Sequence, residues 1–184
     1  MLPSSANANA GLPMIIIAWP LFVLAFIPIV HMEWLTLKDH LLDCSSKKLY
    51  WTAFNANLMS TLVGIPIAWG LMLFLQIIVG ATGAYPILTP FWRYFLGATV
   101  QSAWLIPYED QFDWMIPTAL IVLLLPFFFI SYALEMKMSL WLLRRESASH
   151  DDIKKAVWRA NINSYGMLFV LIIAILIFSY LILD

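Results

Sequence analysis

The residues able to do chemistry in this chain are few, and two of them are carboxylates placed where carboxylates are costly. Glu33 and Glu135 each stand at the end of a long apolar run. Ala56-Asn57-Leu58-Met59-Ser60 opens the apolar run that follows the first. Ala160-Asn161-Ile162-Asn163-Ser164, in the same Ala-Asn-x-x-Ser form, opens the run that follows the second, at an offset of 104 residues in a chain of 184. Amides and hydroxyls inside a bilayer need partners there. An ionised carboxylate costs roughly 2.5–3.5 kcal/mol at the bilayer centre on insertion scales, and less near the interface. Asn57, Ser60, Asn161 and Ser164 are therefore the side chains expected to satisfy Glu33 and Glu135, with charge from Lys47, Lys48, Lys154 or Lys155 as a further source. Ser131, one helical turn before Glu135, belongs to the same polar intramembrane cluster. Two chemistries fit such a cluster: a polar clamp that locks helices together, or a site for one ion or proton.

Other chemistry is poorly provided for. The chain has no Gly-x-Ser-x-Gly elbow, no Walker loop, no His-Glu-x-x-His and no Gly-x-Gly-x-x-Gly. His31-x-Glu33 with His40 could be assembled into a metal site, but these ligands lie near an interface and lack a helical histidine pair. Haem ligation by His31 would need a second histidine within a span, and there is none. Cys44 is alone, which excludes an intramolecular disulfide and a cysteine metal cluster. No catalytic residue, metal or cofactor is expected. A net charge of −1 and the absence of a basic tract leave no role for nucleic acid.

The elements that must position the cluster are membrane helices. Hydrophobic residues make up 62% of the chain and charged residues 11%, and the mean hydropathy is +0.85; soluble domains are nearer half apolar and a quarter charged. Apolar windows at roughly 13–35, 56–80, 115–136 and 161–183 are each long enough to cross about 30 Å of hydrocarbon as a helix. The alternation of membrane β-strands is absent. Nine of the ten basic residues fall in segments 36–55 and 137–160, while segment 81–114 holds only Arg93. The positive-inside rule makes the first two cytoplasmic and puts both termini outside. Trp34, Trp51, Trp141 and Trp158 mark the inner interface, and Trp92, Trp104 and Trp114 the outer one. Met1 to Leu12 carries no Lys or Arg, so the apolar segment after it reads as a retained span rather than a secretory signal.

Local signals fill in the rest. Pro20, Pro28 and Pro126 fall inside spans, and Gly64 and Pro66 mark a helix-packing site, with Gly64 allowing close approach and Pro66 bending the axis. Lys38, Asp39, His40 and Asp43 with apolar Leu35, Leu37, Leu41 and Leu42 read as a short interfacial helix broken by Cys44-Ser45-Ser46, and Met138 to Leu143 as a helix running along the headgroups. Thr89-Pro90 caps a helix over 90–96 in the aromatic outer segment, whose apolar character implies embedding or a protein cover. Ser149 is placed to cap a helix led by Asp151 and Asp152. Lys47-Lys48 with Trp51, and Lys154-Lys155 with Trp158, repeat ahead of the two Ala-Asn-x-x-Ser motifs, though gaps are needed to align them. The expected fold is thus all-α and polytopic, a single membrane domain of four transmembrane helices with added interfacial helices. Its two hairpins would be parallel repeats, at about 13–80 and 115–184, joined by the outer segment 81–114.

The hairpin layout, with Ala-Asn-x-x-Ser-Thr-Leu-x-Gly-Ile-Pro at 56–66 and Trp-Leu-Ile-Pro-Tyr-Glu at 104–109, resembles a group of uncharacterised small bacterial integral membrane proteins without an assigned activity. The resemblance brings no catalytic residues with it. It implies a bacterial inner membrane, or another energy-transducing membrane, as the location. On these grounds the chain is expected to be a non-enzymatic accessory, structural or assembly subunit of a larger membrane complex. Its partners would be the lipid bilayer and other membrane subunits or copies of itself. The alternative is a small oligomeric ion, proton or solute carrier or channel that uses Glu33 and Glu135.

Overall fold

A computed structural model describes residues 12–80, 90–99, 104–105 and 112–183. Over these residues the fold is all-α. Its helices are α1 (Met14–His40), α2 (Ser46–Met59), α3 (Ile65–Gly80), α4 (Pro90–Ala98), α5 (Phe112–Leu142) and α6 (His150–Leu183). A π-helical turn, Ser60–Gly64, joins α2 to α3. A two-residue antiparallel bridge pairs Leu12–Pro13 with Trp104–Leu105. Among the described residues, three stretches are long and apolar enough to cross a membrane: Ser46–Ile78, Ile116–Leu142 and His150–Phe178.

α1 packs against α2 and α6, and α5 against α2 and α6, so the four long elements close a ring. Two apolar cores fill it. One holds Ala25, Ala68, Ala119, Leu123 and Phe127, the other Leu37, Leu41, Leu49, Ala53 and Leu143. Small residues at these contacts let helix backbones approach closely, which substitutes for the hydrophobic drive that lipid does not supply. Outward-facing side chains are large and apolar, as with Leu24, Ile27 and Leu181, each more than three-quarters exposed.

The π turn follows from Pro66. Proline has no N–H to return to the carbonyl one turn back, which disrupts the α pattern there. Instead the Ile65 N–H donates to the Ser60 carbonyl, five residues back. Pro66 itself faces outward, so it acts through the backbone and not as a contact surface. Gly64 is the contact. A Cβ there would lie 3.2 Å from Leu134 Cδ1 and 3.5 Å from Ile130 Cγ2, both on α5.

The hairpin turns differ from the sequence expectation. No separate interfacial helix precedes Cys44: α1 runs unbroken to His40 and α5 to Leu142, and Leu41 to Ser45 is the whole first connection. The reason is burial, because Leu37, Leu41 and Leu143 pack inside the second core rather than on headgroups. Ser149 does cap α6. Its Oγ accepts from the Asp152 N–H at 3.1 Å and donates to Asp152 Oδ2 at 2.7 Å. A helix is present at Pro90–Ala98, whereas the Thr89 cap, the Ile106-Pro107-Tyr108-Glu109 stretch and the N-terminal Met1 to Gly11 lie outside the described residues.

The two turns are built alike. The Leu41 N–H donates to the Leu37 carbonyl at 2.8 Å, and the Leu143 N–H to that of Ser139 at 2.9 Å. The Leu49 N–H donates to the Ser45 carbonyl at 3.0 Å, and the Ile153 N–H to that of Ser149 at 3.1 Å. This register sets Ser45 opposite Ser149, so Lys47 and Lys48 correspond to Asp151 and Asp152 and not to the second lysine pair. The Lys-Lys and Trp51/Trp158 matches are therefore out of register, whereas the Ala-Asn-x-x-Ser motifs, and Glu33 with Glu135, align.

Two outcomes are expected. Gly64→Ala should be near neutral, because Leu134 Cδ1 is the free end of a flexible side chain and alanine favours helix by about 1 kcal/mol. Gly64→Leu should cost about 1–3 kcal/mol by overpacking; thermal unfolding in detergent measures both, and an unchanged midpoint for the leucine variant would count against the close approach. Cys44 is buried, not displayed in a polar loop, and burial pushes its thiol above the ordinary range. Alkylation of the folded protein should then be slow and inflect at higher pH than that of the chain unfolded in SDS. Equal rates and profiles would contradict that burial.

Candidate functional site

Glu33 lies seven residues before the end of α1 and Glu135 seven before the end of α5, about 10 Å along each helix at 1.5 Å per residue. Both are buried, at 3% and 2% exposure, and Asn57 and Ser60, three residues apart, each bind one of them, which sets the two carboxyls side by side. The carboxylates meet in space because α1 and α5 each lean on the other hairpin, α1 on α6 and α5 on α2.

Each carboxylate is bound once from its own hairpin and once from the other. Asn57 Nδ2 donates to Glu33 Oε2 at 2.5 Å, and Asn161 Nδ2 to Glu135 Oε2 at 2.7 Å. The serines cross over: Ser164 Oγ donates to Glu33 Oε1 at 2.7 Å, and Ser60 Oγ to Glu135 Oε1 at 2.6 Å. Each amide also donates to the carbonyl four residues back, Asn57 to Ala53 at 2.9 Å and Asn161 to Val157 at 3.1 Å. Contacts of the serine oxygens with the Asn57 and Asn161 carbonyls, at 3.1 and 3.2 Å, are longer, so the single hydroxyl proton goes to the carboxylate. The Ala-Asn-x-x-Ser spacing explains the division of labour. Residues three apart lie on one helix face but point in slightly different directions, so the amide reaches inward to its own hairpin and the hydroxyl reaches across.

Ser131 is buried but joins the cluster indirectly, accepting from Tyr165 Oη at 2.8 Å. Tyr165, which sequence reasoning missed, follows Ser164 directly and sits one turn beyond Asn161. That placement beside the motif was the available signal. A cavity of about 30 Å³ adjoins Glu135, lined by Asn57, Ser60, Ser131 and Tyr165 together with apolar residues. Asn161 Oδ1 is buried without a hydrogen-bond partner.

The lysines offered as countercharges do not reach the cluster. Lys48 pairs with Glu146 at 2.6 Å across the two turns, and Lys154 with Asp151 at 3.4 Å, while Lys47 and Lys155 are exposed. Nor do the histidines combine with Glu33. His31 is exposed and tilted on Trp34 at 5.2 Å. His40 lies 2.7 Å from Arg159 Nη1 through Nε2 and 2.8 Å from the Thr36 carbonyl through Nδ1. Since guanidinium only donates, Nε2 accepts and Nδ1 carries the proton. Among the described residues no group of three or more His, Cys, Asp or Glu is placed to share a metal.

The paired geometry makes a quantitative expectation. Ser60→Ala and Ser164→Ala each remove one bond to a buried carboxylate and should each destabilise by about 1–3 kcal/mol. Chemical unfolding in mixed micelles checks this, and a large effect from one serine with none from the other would contradict it. No family model matches this chain, and searches of curated proteins and of solved structures found no match.

Proposed function

We propose that this chain is an integral membrane protein of four transmembrane helices, made of two like-oriented hairpins that arose by internal duplication, and that it serves as a non-enzymatic accessory or assembly subunit of a membrane complex. In this reading α1 is the remaining span, the turns at Leu41–Ser45 and near Glu146 face the cytoplasm, and both termini face outward. A bacterial inner membrane is the setting that the resemblance of residues 56–66 and 104–109 suggests. The observation that carries the reading is the crossed set of hydrogen bonds, which joins the hairpins through matched residues of each. Duplication accounts for that matching, and a locked four-helix unit is what a subunit needs in order to present fixed surfaces. Its outer aromatic helix α4 supplies one such surface, with Phe91, Trp92 and Phe95 exposed at 68%, 49% and 47%.

A second reading, passage of an ion or proton, is favoured by the adjacency of the two carboxyls and by the small cavity beside Glu135. The two are separable. Native gels and mass spectrometry after mild extraction should find the chain in a particle larger than a monomer or dimer, and a clean monomer would overturn the subunit role. In proteoliposomes, ion or proton flux that Glu33→Gln with Glu135→Gln abolishes would favour transport, whereas absent or unchanged flux would leave the subunit reading standing.

A further inference from the structure

We propose that the seam between α1 and α6 binds one anionic phospholipid of the cytoplasmic leaflet, with its phosphate at Arg159 and an acyl chain in the groove beside Gly166. That groove has a volume of about 480 Å³ and is lined by Met32 of α1 and by Asn163, Gly166, Met167 and Val170 of α6. A water takes about 30 Å³ of liquid volume, so the space is far larger than hydration requires. Gly166 keeps it open: a Cβ there would meet nothing within 4 Å. The two methionines of the lining adapt readily to a flexible apolar guest.

The chemistry of the seam changes in a fixed order with depth. Lys155, Arg159, Asn163 and Val170 follow one stripe of α6, and Met32, Thr36 and His40 one stripe of α1. Two hydrogen bonds join the stripes: Arg159 Nη1 to His40 Nε2 at 2.7 Å, and Asn163 Nδ2 to Thr36 Oγ1 at 3.1 Å. Trp158, exposed beside Arg159, suits the headgroup level. At 1.5 Å per residue Asn163 lies about 6 Å deeper than Arg159, and Val170 about 17 Å deeper. A cation, then an amide, then an apolar groove is the order of phosphate, ester and acyl chain in a phospholipid.

Charge selects the anionic class. Arg159 meets an uncharged imidazole nitrogen, and among the described residues no carboxylate lies within ion-pairing distance of Arg159 or Lys155. The guanidinium keeps further N–H groups for a phosphate, and the Asn163 amide keeps one for an ester carbonyl. Basic pockets between transmembrane helices on the cytoplasmic side take anionic headgroups in this way. A second copy docked on the same face by two-fold symmetry would instead set Lys155 and Arg159 against their own counterparts. The inference rests on the reading of α1 and α6 as spans with this end cytoplasmic, and on neither the subunit nor the carrier role.

The test uses the full chain, reconstituted into vesicles of equimolar phosphatidylcholine and phosphatidylglycerol or of phosphatidylcholine alone. Flotation shows insertion, and native mass spectrometry after mild extraction counts the lipids retained. The expected result from the mixed vesicles is one phosphatidylglycerol per chain, in preference to phosphatidylcholine. Arg159→Gln should lower its retention about fivefold, the worth of one basic residue near an anionic surface. Gly166→Leu keeps every charge and has open space for its side chain, and should lower retention too. Arg144→Gln with Arg145→Gln, in the turn after α5, should leave it unchanged. Equal retention of the two lipids by the wild type overturns the proposal, whichever variants fold. So does a loss in the Arg144 and Arg145 variant as large as that in Arg159→Gln, or a dimer that Gly166→Leu breaks. Failure to float with either vesicle overturns the membrane reading and the site together, whereas insertion without lipid preference overturns the site alone.

Discussion

Burying two carboxylates side by side is the constraint on which the rest of this structure depends. Such groups are tolerated only where each oxygen finds a donor, because an unsatisfied buried acceptor costs about 1–3 kcal/mol and more when charged. Four donors meet that requirement here, one to each oxygen, and they come from both hairpins. Neither hairpin can satisfy its own glutamate without the other. The polar cluster thus ties together two halves whose outer faces, being apolar, have no reason to prefer each other over lipid.

Packing around the cluster follows from that demand. Ser60, which opens the π turn at the end of α2, must reach a carboxylate on α5, so this turn has to lie close against α5. Gly64 permits the approach, and the π turn imposed by Pro66 carries the chain past it. The second half reaches the same crossed geometry without a π turn, since α6 runs straight from His150 to Leu183. Where Thr61 follows Ser60, Tyr165 follows Ser164 and binds Ser131. Symmetry therefore holds at the carboxylates and lapses one residue beyond them, on the side where the small cavity lies.

Much of this was legible in the sequence, and the parts that were not have physical reasons. Glu33, Asn57, Ser60, Glu135, Asn161 and Ser164 could be grouped because polar residues in apolar runs must find one another. That Ser60 serves Glu135, and not the glutamate of its own hairpin, could not be read, since it depends on how two hairpins lean together. The lysines looked like countercharges on composition alone, yet Lys48 is held at the turn by Glu146. The Lys-Lys pairs suggested a register that backbone bonds at Ser45 and Ser149 replace with another. Leu37, Leu41 and Leu143 read as interfacial because an apolar residue near a headgroup boundary looks the same whether lipid or protein covers it.

If Glu33 and Glu135 occupy one shared polar site that joins the hairpins, the two carboxyls must be energetically coupled. A double-mutant cycle on unfolding in mixed micelles tests it most directly, with Glu33→Gln, Glu135→Gln and the two combined. The expected coupling free energy is above about 1 kcal/mol, because each substitution alters the environment of the other carboxyl. Additivity within about 0.5 kcal/mol would mean two independent sites, and would contradict it.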